Sequence, residues 1–493
     1  MNMSKKIGIF FIYFFLFATI IFFGGRKIDY HLDEVWNYGL ANHDGVEPKY
    51  EIGKAYSGME AFEDFLEVQD DGRFNYKNVY ENQANDVHPP LYYMGFHTVC
   101  SFFPNTFSKW YGIGFNMFWM SLIIVLLYKL SMKMTNNPIL SMGIILAYGT
   151  TSMFVNMVIF IRMYTQFTFL TIALAYLFKL YWDKTLDRRF YILYSIIIIA
   201  GMLTHYYFLI YAFFFCFMFA IHLLFEKNIK DIVRCGIASG IDAVIYLAMW
   251  RHIVGHLLWG SRGRDSIKAA TSLADLSSVF NMLKVVNDNL FAGCYWIFAI
   301  ILFATFVYLI ITKSITFKYE FALMYTAICF LIVVGKIAPY QDFRYISPVA
   351  FILVAEAIVV VNYLLMKIWA KQIATYFLIA FCLVINFLGF ASNGFYTEMD
   401  FYYPESEAHF EQLDGKDCVI LYKEEWETFS AFVALQHAKT YTFIDSENQR
   451  LIEKYNTPGY VWIISNEFND VLGSVAVKNI NSNGQFSYYE IEE

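Results

Sequence analysis

The stretch IGIFFIYFFLFATIIFF, Ile7–Phe23, decides the class of fold, and HLDEVWNY, His31–Tyr38, follows closely behind it. The first stretch is apolar throughout and long enough to cross a ~30 Å hydrocarbon layer as a helix. The second sets two carboxylates side by side, Asp33 and Glu34, where the chain leaves that layer. Gly24-Gly25-Arg26 offers no small-residue cleavage site, so Lys5 and Lys6 are expected to lead a retained span and not a removed signal peptide.

Apolar segments of roughly the same length recur as far as Asn393, and the composition agrees with them. Of 493 residues 58% are hydrophobic, 20% aromatic and only 16% charged, with a mean hydropathy of +0.44. A soluble chain of this length carries more charge, so the class is a polytopic α-helical membrane protein. The net charge of -7 comes without any basic tract, which removes nucleic acid as a partner. Seven cysteines (Cys100, Cys216, Cys235, Cys294, Cys329, Cys382 and Cys418) stand singly, and this spacing predicts neither a disulfide framework nor a zinc site.

Basic residues in the short connections fix a topology. Spans near 7–23, 110–128, 138–158, 161–178, 190–204, 206–225, 235–251, 289–312, 319–336, 345–366 and 372–390 make about eleven crossings. With the N-terminus inside, the cytoplasmic connections hold Lys129 and Lys133; Lys179, Lys184, Arg188 and Arg189; Lys227, Lys230 and Arg234; Lys313 and Lys318; Lys367 and Lys371. This is the positive-inside pattern. Residues 24–109 then form a large first loop outside, and the C-terminus is outside too. Counting Pro89–Phe103 as a further span would invert every basic connection, so it is read as a short helix lying on or dipping into the outer leaflet.

After about Ser392 the composition turns charged and alternating. Cys418–Tyr422, Tyr460–Ile464 and Gln485–Ile491 read as strands and Glu424–His437 as a helix, which together predict a small extracytoplasmic α/β domain over 391–493. No nucleotide-binding loop, internal repeat or low-complexity segment accompanies it.

The same topology gathers polar residues from separate segments at the outer membrane boundary. They are Asp33 and Glu34; His88 at the head of His-Pro-Pro-Leu-Tyr; Arg162 and Tyr164; His205; Arg262 and Arg264; and Lys336 with Arg344 and Tyr345. An arginine such as Arg162, wedged between apolar runs, is costly against lipid and is expected to face a cavity or a partner. Each of these groups has a plainer reading as well: solvated charge at a loop start for Asp33 and Glu34, a helix cap for His88, snorkelling for His205, surface charge for Arg262 and Arg264. Asp242 and Glu356 fall inside spans and read as interhelical polar contacts.

The acidic pair after the first span, His88-Pro89-Pro90-Leu91-Tyr92, Arg162-Met163-Tyr164-Thr165 and Arg344-Tyr345-x-x-Pro348 resemble, in order and sidedness, the bacterial branch of the GT-C membrane glycosyltransferases. That branch includes the protein O-mannosyltransferases of glycosyltransferase family 39, the aminoarabinose transferase of lipid A and the Rgt-type lipopolysaccharide transferases. The resemblance covers residues 1–390. It implies a GT-C module there, a polyprenyl-phosphate sugar as donor, transfer at the extracytoplasmic face of the cell membrane, and inversion at the anomeric carbon. Asp33 matches the family's catalytic acid position and is the expected base, with Glu34 positioning the acceptor or holding a neighbouring cation. A leaving phosphate needs cations or hydrogen-bond donors aimed at it. His88, Arg162, Tyr164, His205, Arg262, Arg264, Lys336, Arg344 and Tyr345 are the expected donor-phosphate and substrate contacts. The implied acceptor is a cell-surface glycan, a lipid or a protein hydroxyl. No cofactor is expected, and no metal, because no acidic cluster stands out beyond Asp33, Glu34 and Asp86. The competing reading is a transporter or flippase of a lipid-linked glycan. It predicts two similar halves with helices broken near mid-membrane, and the sequence has no such duplication.

Overall fold

In the computed structural model, which describes residues 3–271, 277–312, 318–401, 404–468, 472 and 475–491, the eleven expected apolar segments are helical over most of their length, with breaks at 150–151 and 291–294. Among the described residues seven helices are long and apolar enough to cross a membrane, and eight if the bent pair Pro138–Gly149 and Ser152–Ile159 counts as one span. Lys313 lies outside the described residues.

The first span, Met3–Arg26, shows how the pattern is used. Ile12, Leu16, Ile20 and Phe23 recur at helical spacing and are buried, while Phe10, Phe11, Phe14 and Phe15 on the other faces remain exposed where lipid would cover them. Phe343–Ile368 lies at the centre of the bundle, 61% buried over its most apolar stretch, whereas Ile229–Met249 and Gln372–Ser392 are 11% and 17% buried.

The helix ends sort into two sets. One set carries the basic connections and is tied together by Lys179 to Glu320 at 2.8 Å, His222 Nε2 to the Trp182 carbonyl at 2.5 Å and Tyr191 Oη to Asp231 at 3.3 Å. The opposite set carries Asp33, His88, Arg162, His205 and Arg344.

The 64° bend between Pro138–Gly149 and Ser152–Ile159 has a local cause. Thr151 caps the second helix by accepting from the Phe154 N–H at 3.2 Å, so the chain restarts in a new direction. That helix ends at Phe160, and Asn116 takes its unfinished carbonyls, donating to Val158 O at 3.1 Å and Phe160 O at 2.7 Å. Ile161 and Arg162 are thereby held in a short fixed link to the next helix, Tyr164–Tyr181.

Residues 24–109 fold into juxtamembrane helices, among them Leu32–Asn42, Tyr76–Asn85 and Leu91–Ser101. Leu91–Ser101 is the short helix expected in place of a further span. Its eleven residues rise only ~16 Å, too short to span, and Tyr92, Tyr93 and Phe96 are fully buried in protein.

The tail forms a six-stranded sheet with β1 Ala55–Tyr56, β2 Asp417–Leu421, β3 Thr440–Ile444, β4 Tyr460–Ser465, β5 Val477–Ser482 and β6 Phe486–Ile491, in the order β1-β3-β2-β4-β6-β5. The central β3-β2-β4 trio is parallel and its edges are antiparallel. Since β1 comes from the first loop, the loop and the tail share one sheet. The helix expected over Glu424–His437 divides into a 3-10 turn, Glu425–Ala431, and a helix, Phe432–His437. Thr428 Oγ1 and Ser430 Oγ bond to carbonyls three residues back, which favours the tighter turn.

Candidate active site

Asp33 stands in the first turn of Leu32–Asn42, whose N-cap is His31. The imidazole Nδ1 of His31 accepts from the Asp33 N–H at 3.1 Å, and the Glu34 carboxylate returns the capping bond to the His31 N–H at 2.8 Å. This capping box fixes which way each of the adjacent carboxylates points. Asp33 Oδ2 pairs with Arg344 Nη1, and its side chain keeps 21% exposure. Glu34 turns inward and is fully buried.

Of the two roles expected for Glu34, the contacts match the second, holding a neighbouring cation. Its Oε2 accepts from Lys27 Nζ at 2.8 Å as well as from His31 N, and its Oε1 accepts from Ile161 N at 2.8 Å. Both oxygens are engaged and the side chain is fully buried, so Glu34 acts as a joint between segments. The cation it holds, Lys27, donates in turn to the Met399 carbonyl at 2.6 Å. One carboxylate therefore joins the exit of the first span, the acidic helix, the Ile161–Arg162 link and the segment leading to the tail.

Arg162 donates from Nη1 to the Asp33 carbonyl at 3.2 Å and from Nη2 to His88 Nε2 at 3.3 Å. His88 Nδ1 lies 2.7 Å from Asp86 Oδ2. A carboxylate there can only accept, so the imidazole proton sits on Nδ1 and Nε2 is left to accept from the guanidinium. Burial, the largest influence, together with Arg162 and Arg262, lowers the His88 imidazole below its usual value against the pull of Asp86. For Asp33, burial alone would raise the carboxyl. Arg162 and Arg344, helped by His31 and His88, outweigh it and hold the group well below the usual carboxylate range.

Arg344 opens the central helix, where Asp342 is the N-cap and accepts from the Arg344 N–H at 3.0 Å. Pro348 removes the N–H that would have bonded the Arg344 carbonyl, and Ser347 Oγ takes that carbonyl at 3.0 Å, so the first turn survives. The Arg344 guanidinium lies 5.2 Å from the Tyr345 ring and 5.9 Å from the Phe160 ring. Tyr164 is buried with its ring 5.7 Å from His205 and 6.2 Å from Tyr345. His205 stacks on Phe167 at 5.2 Å and accepts at Nδ1 from the Tyr207 N–H at 3.0 Å.

A cavity of ≈ 320 Å³ opens beside these groups, with His88, His205, Tyr207, His256, Arg262 and Tyr345 among its lining. Arg262 is in the first turn of the helix Ser261–Thr271, exposed toward that space. Arg264, one face further round the helix, is exposed but does not line the cavity. Lys336 is in the last turn of Tyr319–Ile337; Ile337, Ala338 and Pro339 line the cavity and Lys336 does not. Of the residues singled out in the sequence, Asp33, His88, Arg162, Tyr164, His205, Arg262, Arg344 and Tyr345 come together; Glu34 supports them from behind, and Arg264 and Lys336 stand outside.

Sequence reasoning placed Tyr93 and Asp342 at the outer boundary without a role, and missed His31, His256 and the pairing of Asp86 with His88. The signals for His31 and Asp86 were there: each lies two residues from a predicted site residue and bonds to it. Asp242 and Glu356 lie elsewhere in the bundle, each with one buried oxygen lacking a hydrogen-bond partner among the described residues.

No protein-family model matches the chain, and no curated protein sequence is significantly similar to it. Solved structures do match. ArnT from Cupriavidus metallidurans bound to undecaprenyl phosphate superposes with a TM-score of 0.56 at 11% identity, over 99% of this chain and 98% of that one. The apo state of the same protein matches with a TM-score of 0.47, 11% identity and 92% and 95% coverage. The archaeal oligosaccharyltransferase AglB from Archaeoglobus fulgidus, in complex with an inhibitory peptide and a dolichol-phosphate, matches with 0.45, 11%, and 92% and 69%. A superposition running almost end to end on both chains, at a score of 0.56, makes this a multi-pass helical membrane protein of the GT-C fold with a small C-terminal sheet domain.

Proposed function

We propose that the protein is a glycosyltransferase that moves a sugar from a polyprenyl-phosphate donor to an acceptor hydroxyl at the membrane surface. The observation that carries this reading is the convergence of Asp33, His88, Arg162 and Arg344, from four separate segments, beside a cavity that His88 and Arg262 line. The ArnT structure of the same fold holds undecaprenyl phosphate, which supports the same donor chemistry here.

The donor's phosphate enters the cavity between Arg262 and the Arg162–Arg344 pair, where fixed cations in a water-poor site stabilise the charge that grows on the leaving oxygen. The acceptor hydroxyl hydrogen-bonds to the Asp33 carboxylate. Its oxygen attacks the anomeric carbon as the bond from that carbon to the phosphate oxygen breaks. The polyprenyl phosphate leaves as a monoester and the hydroxyl proton passes to Asp33. One displacement inverts the anomeric centre, and no second carboxylate nucleophile is required.

In the resting protein Arg344 and Arg162 make Asp33 a weak base. An incoming phosphate competes for both guanidinium groups, which frees the carboxylate and restores its basicity only when donor is present. The acceptor is thus activated only in the ternary complex. The site belongs on the extracytoplasmic face of the cell membrane in this reading, because the basic connections cluster at the opposite helix ends.

The test is transfer of labelled sugar from a panel of undecaprenyl-phosphate sugars by the purified protein in lipid, wild type against Asp33→Asn. Turnover lost in the variant while it still binds donor supports the reading. Failure of every donor, with lipid-linked sugar crossing the bilayer instead, would replace it by transport.

A further inference from the structure

A second cavity, of ≈ 550 Å³, opens on another side of the same helix ends and has the opposite chemistry. Its wall includes Asn156, Asn289, Asn386 and Asn393 and the carboxylates of Asp288 and Glu398, and no lysine, arginine or histidine is among its described lining residues. The volume falls within the ~300–1,000 Å³ range of small-molecule sites. The ring of Tyr396 closes part of the wall. Side-chain amides and carboxylates beside an aromatic ring supply the hydrogen-bond acceptors, donors and apolar face that a pyranose presents in complement. A phosphate or other anion would meet two carboxyl groups with no basic residue among the described lining.

The cavity shares Asn386 with an apolar groove, and its Glu398 end is tied to the helix that leads to Arg162. Asn386 also lines an apolar cavity that descends between the helices Tyr295–Thr312, Phe343–Ile368 and Lys371–Ser392, with Leu290, Trp296, Ile297, Ile300 and Phe381 on its walls. The polar space is thus capped onto an apolar groove, the shape of a headgroup above a chain. Gly389 permits this arrangement, because a Cβ there would stand 2.7 Å from the Ala292 Cβ and push apart the two segments that form the cavity's side. At the other end, Glu398 lies within electrostatic reach of Asp342 and Arg344, the residues that open the central helix beside Asp33. The neighbouring Met399 N–H donates to Asn156 Oδ1 at 3.0 Å, which anchors the Glu398 segment to the helix leading to Arg162.

We infer that this second cavity is the acceptor subsite and that it takes the uncharged or amino-bearing sugar headgroup of a membrane glycolipid, whose chains lie in the apolar groove below. The inference rests on the transferase reading and deepens it. Donor and acceptor are sorted by charge: the phosphate goes to the arginine-edged cavity and the sugar to the carboxylate-lined one, with Arg344, the partner of Asp33, acting electrostatically on Glu398.

The test uses the full chain in nanodiscs, with native mass spectrometry counting retained lipid. Monoglucosyl-diacylglycerol is the neutral probe, glucuronosyl-diacylglycerol the anionic one, and undecaprenyl phosphate reports on the donor cavity. The wild type is expected to retain the neutral glycolipid about tenfold better than the anionic one, a difference of ~1.4 kcal/mol. Ser392→Trp at the exposed rim and Ile300→Trp in the groove should abolish that retention and leave undecaprenyl phosphate bound, and Asp288→Asn with Glu398→Gln should erase the preference between the two glycolipids. Equal retention of both by the wild type, or retention indifferent to Ser392→Trp and Ile300→Trp, overturns the inference. If undecaprenyl phosphate binds and the neutral glycolipid does not, only the subsite assignment fails; if undecaprenyl phosphate does not bind at all, the transferase reading fails with it.

Discussion

Lys27 and Glu34 form an ion pair at 2.8 Å in which neither side chain has any exposed surface. Such a pair is weak evidence of stability relative to a packed apolar pair, but removing one partner strands the other charge and costs about 3–5 kcal/mol. Here the cost is compounded, because Glu34 also accepts the Ile161 and His31 N–H groups. Lys27→Met and Glu34→Gln are each expected to lower the thermal midpoint of the purified protein substantially. The double variant should lose less than the sum of the two, since neither buried charge is then left alone. Additive losses would show that the two residues act independently.

Asp33→Asn should behave differently. Asp33 is partly exposed and its partner Arg344 keeps Asp342 nearby at 3.3 Å, so the variant should retain most of its thermal midpoint. Its kcat is expected to fall on the order of 10²–10⁴-fold, the range for loss of a positioned base, with donor affinity unchanged or improved once Arg344 is released. Steady-state kinetics with an active donor measures both; a fall in affinity with kcat retained would move Asp33 from chemistry to binding.

Arg262 and Arg264 make an internal control. They share one short helix, yet only Arg262 lines the donor cavity. Arg262→Ala should raise the donor KM about tenfold, in keeping with one charge-assisted contact worth ~1.5–3 kcal/mol in the gross and less after screening. Arg264→Ala should leave it within about twofold, a difference too small to mark a direct contact. Equal effects would point to a general field and not to a phosphate contact.

The lowered His88 value predicts a pH dependence of stability. In the unfolded chain a histidine takes up a proton below about pH 6.5, whereas folded His88 resists protonation down to its lower value. The unfolded state then binds more protons across that interval, so stability rises with pH there and is lost as pH falls below about 6.5. His31, also lowered chiefly by burial, acts in the same direction. Thermal midpoints recorded from pH 5 to 7.5 should climb with pH, and His88→Gln should flatten the climb. A slope unchanged in the variant would assign the dependence to other groups.

How much was legible in the sequence follows from the range of each interaction. The helices were, because apolar periodicity such as Ile12, Leu16, Ile20 and Phe23 is written locally, and so was the common sidedness of the site, because lysines and arginines in short connections mark one membrane face. The identity of Asp33 and Arg344 as candidates was visible, but not their contact, which spans 311 positions of sequence and depends on the register of the central helix. The different roles of Asp33 and Glu34 were expected, but not which way each carboxylate points, because that direction is set by the His31 capping box. The two-residue strand Ala55–Tyr56 was illegible in principle, since a strand that short has no period and exists only because Tyr441 and Thr442 offer it an edge.

The Ile161–Arg162 link is held in place by packing as well as by hydrogen bonds. Arg162 is positioned from behind by the close approach of Lys109–Thr135 to the Ile161–Arg162 link, and the contact point is Gly112, where an added Cβ would come within 2.0 Å of Ile161 Cγ2. Ile161 cannot yield freely, because its N–H is bonded to Glu34 and Arg162 follows directly. Gly112→Ala must therefore shift the link, and with it the Arg162 bonds to the Asp33 carbonyl and to His88. Overpacking of this kind costs about 1–3 kcal/mol in stability, but displacing a positioned charge by a fraction of an ångström costs activity more steeply. The expected result is a folded protein whose kcat falls by more than its thermal midpoint suggests. Gly114→Ala on the same helix, where a Cβ meets nothing within 4 Å, should leave both unchanged. If the two alanine variants behave alike, the Gly112 contact does not set the position of Arg162.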